Sequence, residues 1–294
     1  MGEALQFAFM RNALLAGVLV SIACGIIGTF VVVKRIVFIS GGIAHAAYGG
    51  IGLGYYFRYM LLPGLVAAGS TLDPRPGYWP LLGAILFSLG AAAVMGVIQR
   101  RTDQRADTII GVLWALGMAT GIIFVDLTAG YKVDLMSYLF GSILAVEQRE
   151  LWAMLVLDLV ILGGVALLYK ELLAVSFDET FATVTNVPVD TVYVVLLGMI
   201  ALTVVMMMRV VGLIMVIAML TMPAAIAGHY VRDMKRMMAW AVGLGIAFTT
   251  VGLWVSYAWN LTSGASIIVV SGVGYLVSLA LRGVRRGNGL RATG

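Results

Sequence analysis

The chain has 294 residues, of which 62% are hydrophobic and only 11% are charged, and its mean hydropathy is +1.03. An average soluble domain carries roughly 25% charged residues, so this composition excludes a soluble globular protein. The net charge of +5 is typical of cytoplasmic loops in a membrane protein, and we expect no nucleic-acid partner. The single cysteine, Cys24, excludes an intramolecular disulfide.

Long uncharged apolar runs divide the chain into membrane spans. A helix that crosses the ~30 Å hydrocarbon layer needs about 20 apolar residues, and continuous runs of this kind are unlike the alternating strands of membrane barrels. We therefore predict an all-α polytopic membrane protein with about nine transmembrane helices, within a range of eight to ten. The predicted spans are 13–33, 42–57, 77–98, 108–125, 151–169, 191–208, 210–228, 237–257 and 265–281. The chain between the last two spans is predicted to turn near 259–264, so that these spans form a helical hairpin.

The apolar segment 135–146 is too short for an ordinary span, and its placement decides the orientation of everything that follows. If it does not cross, thirteen of the 19 basic residues lie inside. The six outside are then Arg11, Arg58, Arg75, Lys132, Arg149 and Arg209. A crossing would leave most basic residues outside, against the positive-inside rule. We predict a short re-entrant or interfacial helix, an outward N-terminus and a cytoplasmic C-terminus.

The second span combines closely spaced small residues with one histidine. Gly42, Ala46, Gly50 and Gly54 recur every four residues, which predicts a smooth face against another helix. His45 is the ionisable residue of the predicted span, and imidazole is a good ligand for zinc and related ions. It is predicted either to contact a metal ion or to form a hydrogen bond inside the bundle.

A carboxylate lies within the fifth predicted span. Asp158 is surrounded by apolar residues, where an unpaired charge would cost several kcal/mol. The sequence leaves two interpretations open, a functional site and a structural pairing with another residue.

The loop 170–190 contains a short amphipathic segment. Ser176 and Glu179 have the spacing of a helix capping box. Apolar residues follow at helical spacing, at Phe177, Phe181 and Val184. This pattern predicts a short helix that either lies in the membrane interface or provides the contact for a cytoplasmic partner.

Motifs of common enzymes are absent from the sequence. It contains no G-x-x-x-x-G-K-[ST] phosphate loop, no H-E-x-x-H pair and no G-x-S-G motif. We therefore predict that the protein is not an enzyme and that it cannot hydrolyse ATP with a phosphate loop of this kind. An intramembrane metalloenzyme stays open as an alternative, although it would need several ligands at one depth.

Several segments in order along the chain are similar to one family. They are Ala13-Leu14-Leu15-Ala16-Gly17, Lys34-Arg35, Ser40-Gly41-Gly42-Ile43-Ala44-His45-Ala46, Asp107-Thr108-Ile109-Ile110-Gly111, 135–144, 176–182 and 210–225. Together they resemble the permease subunits of bacterial ABC importers for zinc, manganese and iron ions. Import of a metal chelate, of the siderophore or cobalamin type, is the alternative within transport.

The resemblance implies an assembly in the cytoplasmic membrane. It implies a single permease domain over 1–294, a second permease copy, cytoplasmic ABC ATPase subunits and an extracytoplasmic metal-binding protein. It also implies that 176–186 is the coupling helix. The residues expected to contact the ATPase are Ser176, Phe177, Asp178, Glu179, Phe181 and Ala182.

The resemblance further implies an ion pathway along the second span. Family members commonly carry an aspartate four residues before the histidine that matches His45, but this chain has Gly41 there. Two copies of His45 across a dimer axis would then need water or a carboxylate such as Asp158 to complete the metal shell. Because imidazole suits zinc better than manganese, zinc is the expected cargo, and no permanent cofactor is expected. The glycines expected to pack along the pathway are Gly41, Gly42, Gly49 and Gly50.

Overall fold

The computed structural model describes residues 6–67, 78–101, 106–128, 138–139 and 141–291. Within these ranges all regular secondary structure is helical. The α-helices are α1 Ala8–Val33, α2 Val37–Tyr56, α3 Leu62–Ala67, α4 Trp79–Arg101, α5 Ala106–Asp126, α6 Gln148–Leu167, α7 Tyr169–Phe177, α8 Glu179–Val184, α9 Val189–Val211, α10 Leu213–Tyr230, α11 Met234–Trp259 and α12 Ser263–Arg291. A π-helical turn, Phe57–Leu61, joins α2 to α3, and a 3-10 helix, Ile143–Ala145, precedes α6.

Nine helices in the described part of the chain are long and apolar enough to cross a membrane, which confirms the all-α polytopic prediction. The second span was predicted too short, because it runs from Val37 to Gly64. Arg58 does not end it, since its guanidinium carbon lies 5.1 Å from the centre of the Tyr59 ring. The predicted turn after α11 is confirmed at Asn260, whose left-handed backbone has φ 52°.

Side-chain contacts define two ends of the bundle. At the first, which we call the Asn12 end, Asn12 Nδ2 donates a hydrogen bond to the Val146 carbonyl at 3.3 Å. At the second end, the Tyr193 hydroxyl donates a hydrogen bond to Gln99 Oε1. We call this end the Lys34 end, after the lysine that lies there. The Lys34 end also carries α8 and corresponds to the predicted cytoplasmic side.

The chain between α5 and α6 starts and finishes at the Asn12 end. Phe124, near the end of α5, has its ring centroid 5.6 Å from that of Tyr56, and the Tyr138 and Tyr55 hydroxyls are 3.0 Å apart. The segment before α6 therefore does not cross, as predicted. Leu135, Met136, Ser137 and Phe140 lie outside the described residues, so only part of the predicted re-entrant helix is described.

Two glycines allow this segment to reach the bundle. Gly141 has φ +60° and lies against the backbone of Val211 and Gly212, and Gly212 itself has φ 86°. Both values fall in the left-handed region that favours glycine. The close approach places Ile143 in the hydrophobic core at the Asn12 end.

Candidate functional site

Helix α2 is enclosed between α4 and α5 by close backbone contacts. A Cβ atom at Gly50 would collide with the Gly83 carbonyl of α4, and one at Gly49 would lie 2.6 Å from the Gly117 carbonyl of α5. Gly42 faces the Ile110 side chain of α5, where a Cβ would lie 3.3 Å from Ile110 Cγ2. Small residues on α2 therefore let both neighbouring helices approach its backbone.

His45 lies in this tightly packed region, on the side of α2 that faces α5. It is 6% exposed, and its imidazole stacks on the Trp114 indole with ring centroids 4.1 Å apart and an interplanar angle of 16°. Its Nδ1 atom is buried and has no hydrogen-bond partner among the described residues. Since buried polar atoms are nearly always paired, this nitrogen is the candidate ligand atom on α2.

Gly41 lies one turn before His45 and faces the same indole. A Cβ at Gly41 would meet one group, Trp114 Cζ3, at 3.6 Å. Trp114 was not predicted as a site residue, because its contact with His45 joins two helices that are far apart in the sequence. A single tryptophan among the small residues of α5 was the available signal.

Asp158 is 1% exposed, and neither of its carboxyl oxygens has a partner among the described residues. Its electrostatic neighbour is the buried thiol of Cys24 in α1. Helix α6 packs on α1 and α9, and α2 packs chiefly on α4 and α5 but also on α9. Asp158 and His45 thus lie on two different helices that share α9 as a neighbour. Within the described residues, no group of three or more His, Cys, Asp or Glu side chains could hold a metal ion.

The short helix α8 begins at a different cap from the predicted one. Asp178 is the N-cap, and its carboxylate accepts a hydrogen bond from the Phe181 backbone N–H at 3.0 Å. The capping box proposed for Ser176 is wrong, because Ser176 lies inside α7 and its hydroxyl donates to the Leu172 carbonyl at 2.6 Å. A carboxylate next to the first turn also complements the helix dipole.

The apolar residues of this segment point away from the bundle. Phe177 is 63% exposed, Phe181 61% and Val184 77%. Asp178 and Glu179 are exposed as well, whereas Ser176 and Ala182 are buried. Of the six residues predicted to contact an ATPase, four therefore reach the surface, and the other two hold the segment on the bundle.

Lys34 connects the end of α1 to α8. Its Nζ donates to the Val175 carbonyl at 2.7 Å and to Glu179 Oε1 at 2.6 Å, and it lies 5.2 Å from the centre of the Tyr193 ring. The Lys34 side chain is only 8% exposed. No local pattern predicts this role of Lys34, because its contacts join segments that are far apart in the sequence.

Comparison with known proteins identifies the family. The model of the ABC 3 transport family matches residues 6–282. A membrane protein of Synechocystis without an assigned function is 57% identical over 96% of this chain and 94% of its own. A probable metal transport system membrane protein of Chlamydia pneumoniae is 35% identical over 91% of this chain and 87% of its own.

Two further relatives agree with this assignment. The manganese transport system membrane protein MntC of Listeria monocytogenes is 29% identical over 93% of this chain and 91% of its own. The structure of PsaBC from Streptococcus pneumoniae, in complex with a Fab, matches with a TM-score of 0.78 and 31% identity over 94% of this chain and 93% of that one. The chain belongs to the ABC 3 transport family, as a membrane-spanning transporter subunit rather than an enzyme.

Proposed function

We propose that this chain is the permease of an importer that moves a divalent transition-metal ion across the cytoplasmic membrane. ATP would be hydrolysed on separate subunits, and the whole chain would form one permease domain. The family assignment and the relatives named for metal or manganese transport support this function. The observation that carries it is the buried, unpartnered Nδ1 of His45 on a helix enclosed by two others.

Zinc is the proposed cargo. His45 offers a nitrogen ligand, and Gly41 offers no side-chain oxygen beside it. Zinc is borderline soft and binds imidazole well, whereas manganese prefers oxygen ligands. Manganese is the second candidate, because the similar Listeria protein is named for manganese transport.

The role of His45 can be tested with the second histidine as a control. The complex of permease and ATPase is reconstituted into proteoliposomes, and uptake of radioactive zinc and manganese is measured for His45→Ala. We expect uptake to fall by about tenfold or more, since loss of a metal-site group typically costs at least that much. His229→Ala is the matched control, because His229 lies at the Lys34 end, where its Nδ1 is 3.0 Å from Ser278 Oγ.

Wild-type uptake in His45→Ala would remove His45 from the pathway. A loss of uptake in both variants, with reduced recovery of the complex, would indicate a folding defect, so the yield of assembled complex is measured for each.

We propose that α8 and the residues just before it form the contact to the ATPase. Phe177, Phe181 and Val184 present an apolar surface at the Lys34 end, and the charges of Asp178 and Glu179 flank it. An apolar centre with a charged rim is typical of a protein interface. The assembly would include a second permease copy and an external metal-binding protein that delivers the ion at the Asn12 end.

The contact is tested by adding a charge to the apolar surface. Phe181→Glu should weaken copurification of the ATPase and abolish transport-coupled ATP hydrolysis, because it would bury an unpaired carboxylate in the interface. Thr183→Glu is the control, since it adds the same charge to an exposed position of the same short helix. Undiminished coupled hydrolysis in Phe181→Glu would reject the proposed contact.

A further inference from the structure

Tyr193 of α9 makes two polar contacts that lead to different helices. The Lys34 ammonium, which also binds Glu179 of α8, lies 5.2 Å from the centre of the Tyr193 ring. The Tyr193 hydroxyl donates a hydrogen bond to Gln99 Oε1 near the end of α4. One side chain therefore connects α8, through Lys34, to α4.

This connection lies in a part of the Lys34 end that is mostly shielded from water. Tyr193 is 4% exposed, the Lys34 side chain is 8% exposed, and Gln99 is half-buried. Hydrogen bonds and cation–π contacts are stronger in such surroundings than on an open surface. Helices α4 and α9 also pack closely here, where a Cβ atom at Gly96 would lie 3.1 Å from Val194 Cγ2. We therefore expect a displacement of α9 to move the end of α4.

Helix α4 extends the connection to α2. Met95 lies one turn before Gln99, and its Cε atom is 3.5 Å from the position that a Cβ atom at Gly42 would have. Gly42 in turn lies one helical turn before His45. Hydrogen bonds and packed side chains are the contacts that carry energetic coupling between distant sites. A continuous series of such contacts thus joins α8 to the His45 region of α2.

We propose that Tyr193 is a positioning residue for transport, which transmits a displacement of α8 to α4 and so to the turn of α2 that carries His45. The inference rests on the proposed function, since it needs both the ATPase contact at α8 and the ion pathway along α2. It adds that the hydrogen bond from Tyr193 to Gln99 couples ATP hydrolysis to ion movement. It assigns to neither side chain a contact with the ion.

The experiment separates the two contacts of Tyr193 in the reconstituted complex. Tyr193→Phe keeps the ring beside Lys34 and removes the hydroxyl, and Gln99→Met keeps the side-chain length and removes the acceptor oxygen. ATP hydrolysis and initial uptake of zinc and manganese are measured in the same proteoliposomes. We expect both variants to hydrolyse ATP at the wild-type rate. The number of ions imported per ATP should fall about fivefold, the factor that corresponds to the loss of one hydrogen bond.

Three further variants show whether the hydrogen bond itself carries the effect. Tyr193→Phe/Gln99→Met should lose no more than either single variant, because each of them already lacks the same bond. Gln99→Glu keeps an acceptor oxygen for the Tyr193 hydroxyl and should import about as many ions per ATP as the wild type. Tyr230→Phe is the matched control, because it removes a tyrosine hydroxyl that is hydrogen-bonded to Ser278 of α12 at the same end. It should leave the number of ions per ATP unchanged.

Two results would overturn the inference. One is a wild-type number of ions per ATP in both Tyr193→Phe and Gln99→Met, and a lower thermal stability of these variants would then assign the bond a structural role alone. The other is a loss in the double variant that equals the product of the two single losses, which would show that the two residues act independently. If Tyr193→Phe does not assemble with the ATPase, the comparison of Gln99→Met with Gln99→Glu still decides.

A failure of the proposed function gives different results. If α8 is not the ATPase contact, Phe181→Glu keeps its coupled ATP hydrolysis, and if His45 is not in the pathway, His45→Ala transports at the wild-type rate. If both of those variants lose function while Tyr193→Phe and Gln99→Met do not, only the role of Tyr193 is rejected.

Discussion

The centre of α2 and the Lys34 end are held together by different physical means. Around α2, glycines bring helix backbones into contact, and the His45 Nδ1 has no hydrogen bond within the described residues. At the Lys34 end, one ammonium group binds the Val175 carbonyl and the Glu179 carboxylate and so joins α1 to α7 and α8. Close packing of helix backbones at glycines stabilises the first region, and charged hydrogen bonds stabilise the second.

The depth of each region in the membrane explains the difference. In the hydrocarbon layer an ionised side chain is costly, and close packing of small residues is the available way to bind helices together. Near the water interface a lysine can keep its charge and bind both a carbonyl and a carboxylate. The centre therefore contains a buried polar atom without a described partner, whereas the end connects α8 to the membrane helices.

The largest effect is expected where the backbones are closest. Gly83→Ala should destabilise the permease by about 3 kcal/mol or more, because the new methyl group would collide with the Gly50 carbonyl and force α2 and α4 apart. The measurement is thermal unfolding of the detergent-solubilised protein. Gly90→Ala, two turns along the same helix, meets nothing within 4 Å and should be neutral or slightly stabilising. If Gly83→Ala and Gly90→Ala lost the same stability, the close backbone contact at Gly83 would not be what stabilises this region.

A smaller effect is expected at the Lys34 end. Lys34→Met should cost about 1–2 kcal/mol, chiefly through the lost hydrogen bond to the buried side of α7. The ion pair adds less, because the Glu179 side chain is 51% exposed and screened by water. The same unfolding assay is used, and zinc uptake should fall as α8 loosens. Lys170→Met, which changes an exposed lysine, is the control. An equal loss of stability in Lys170→Met would show that the contacts of Lys34 do not stabilise the protein.

The smallest expected effect is a gain in stability. Asp158→Leu should raise the free energy of unfolding by about 1 kcal/mol, because it replaces a buried carboxyl without described partners by an apolar side chain with the same branching. We expect zinc uptake to fall at the same time, since a group that costs stability and pairs with nothing in the described structure fits a functional role. Unchanged uptake in a more stable protein would remove Asp158 from the pathway. Asp158→Asn, which keeps the shape and polarity, should change stability less.

The predicted spans and the amphipathic segment agreed with the structure, whereas the end of the second span and the helix cap did not. The spans followed from apolar runs, yet the second span was ended too early at Arg58, because the contact of that residue with Tyr59 is not visible in a hydropathy count. The short helix after α7 was predicted from the spacing of Phe177, Phe181 and Val184. Its cap was assigned to Ser176 from the spacing of Ser176 and Glu179, and the structure uses Asp178 instead.

The sequence by itself determined that this protein is a helical membrane bundle, that the segment before α6 does not cross, and that an apolar surface precedes α9. These properties depend on composition and on the spacing of residues along one helix, which the chain carries locally. Only the tertiary structure decided that His45 stacks on Trp114 and that Lys34 binds α8. Each of these contacts depends on how one helix is rotated against another, and that rotation is set by packing across the whole bundle.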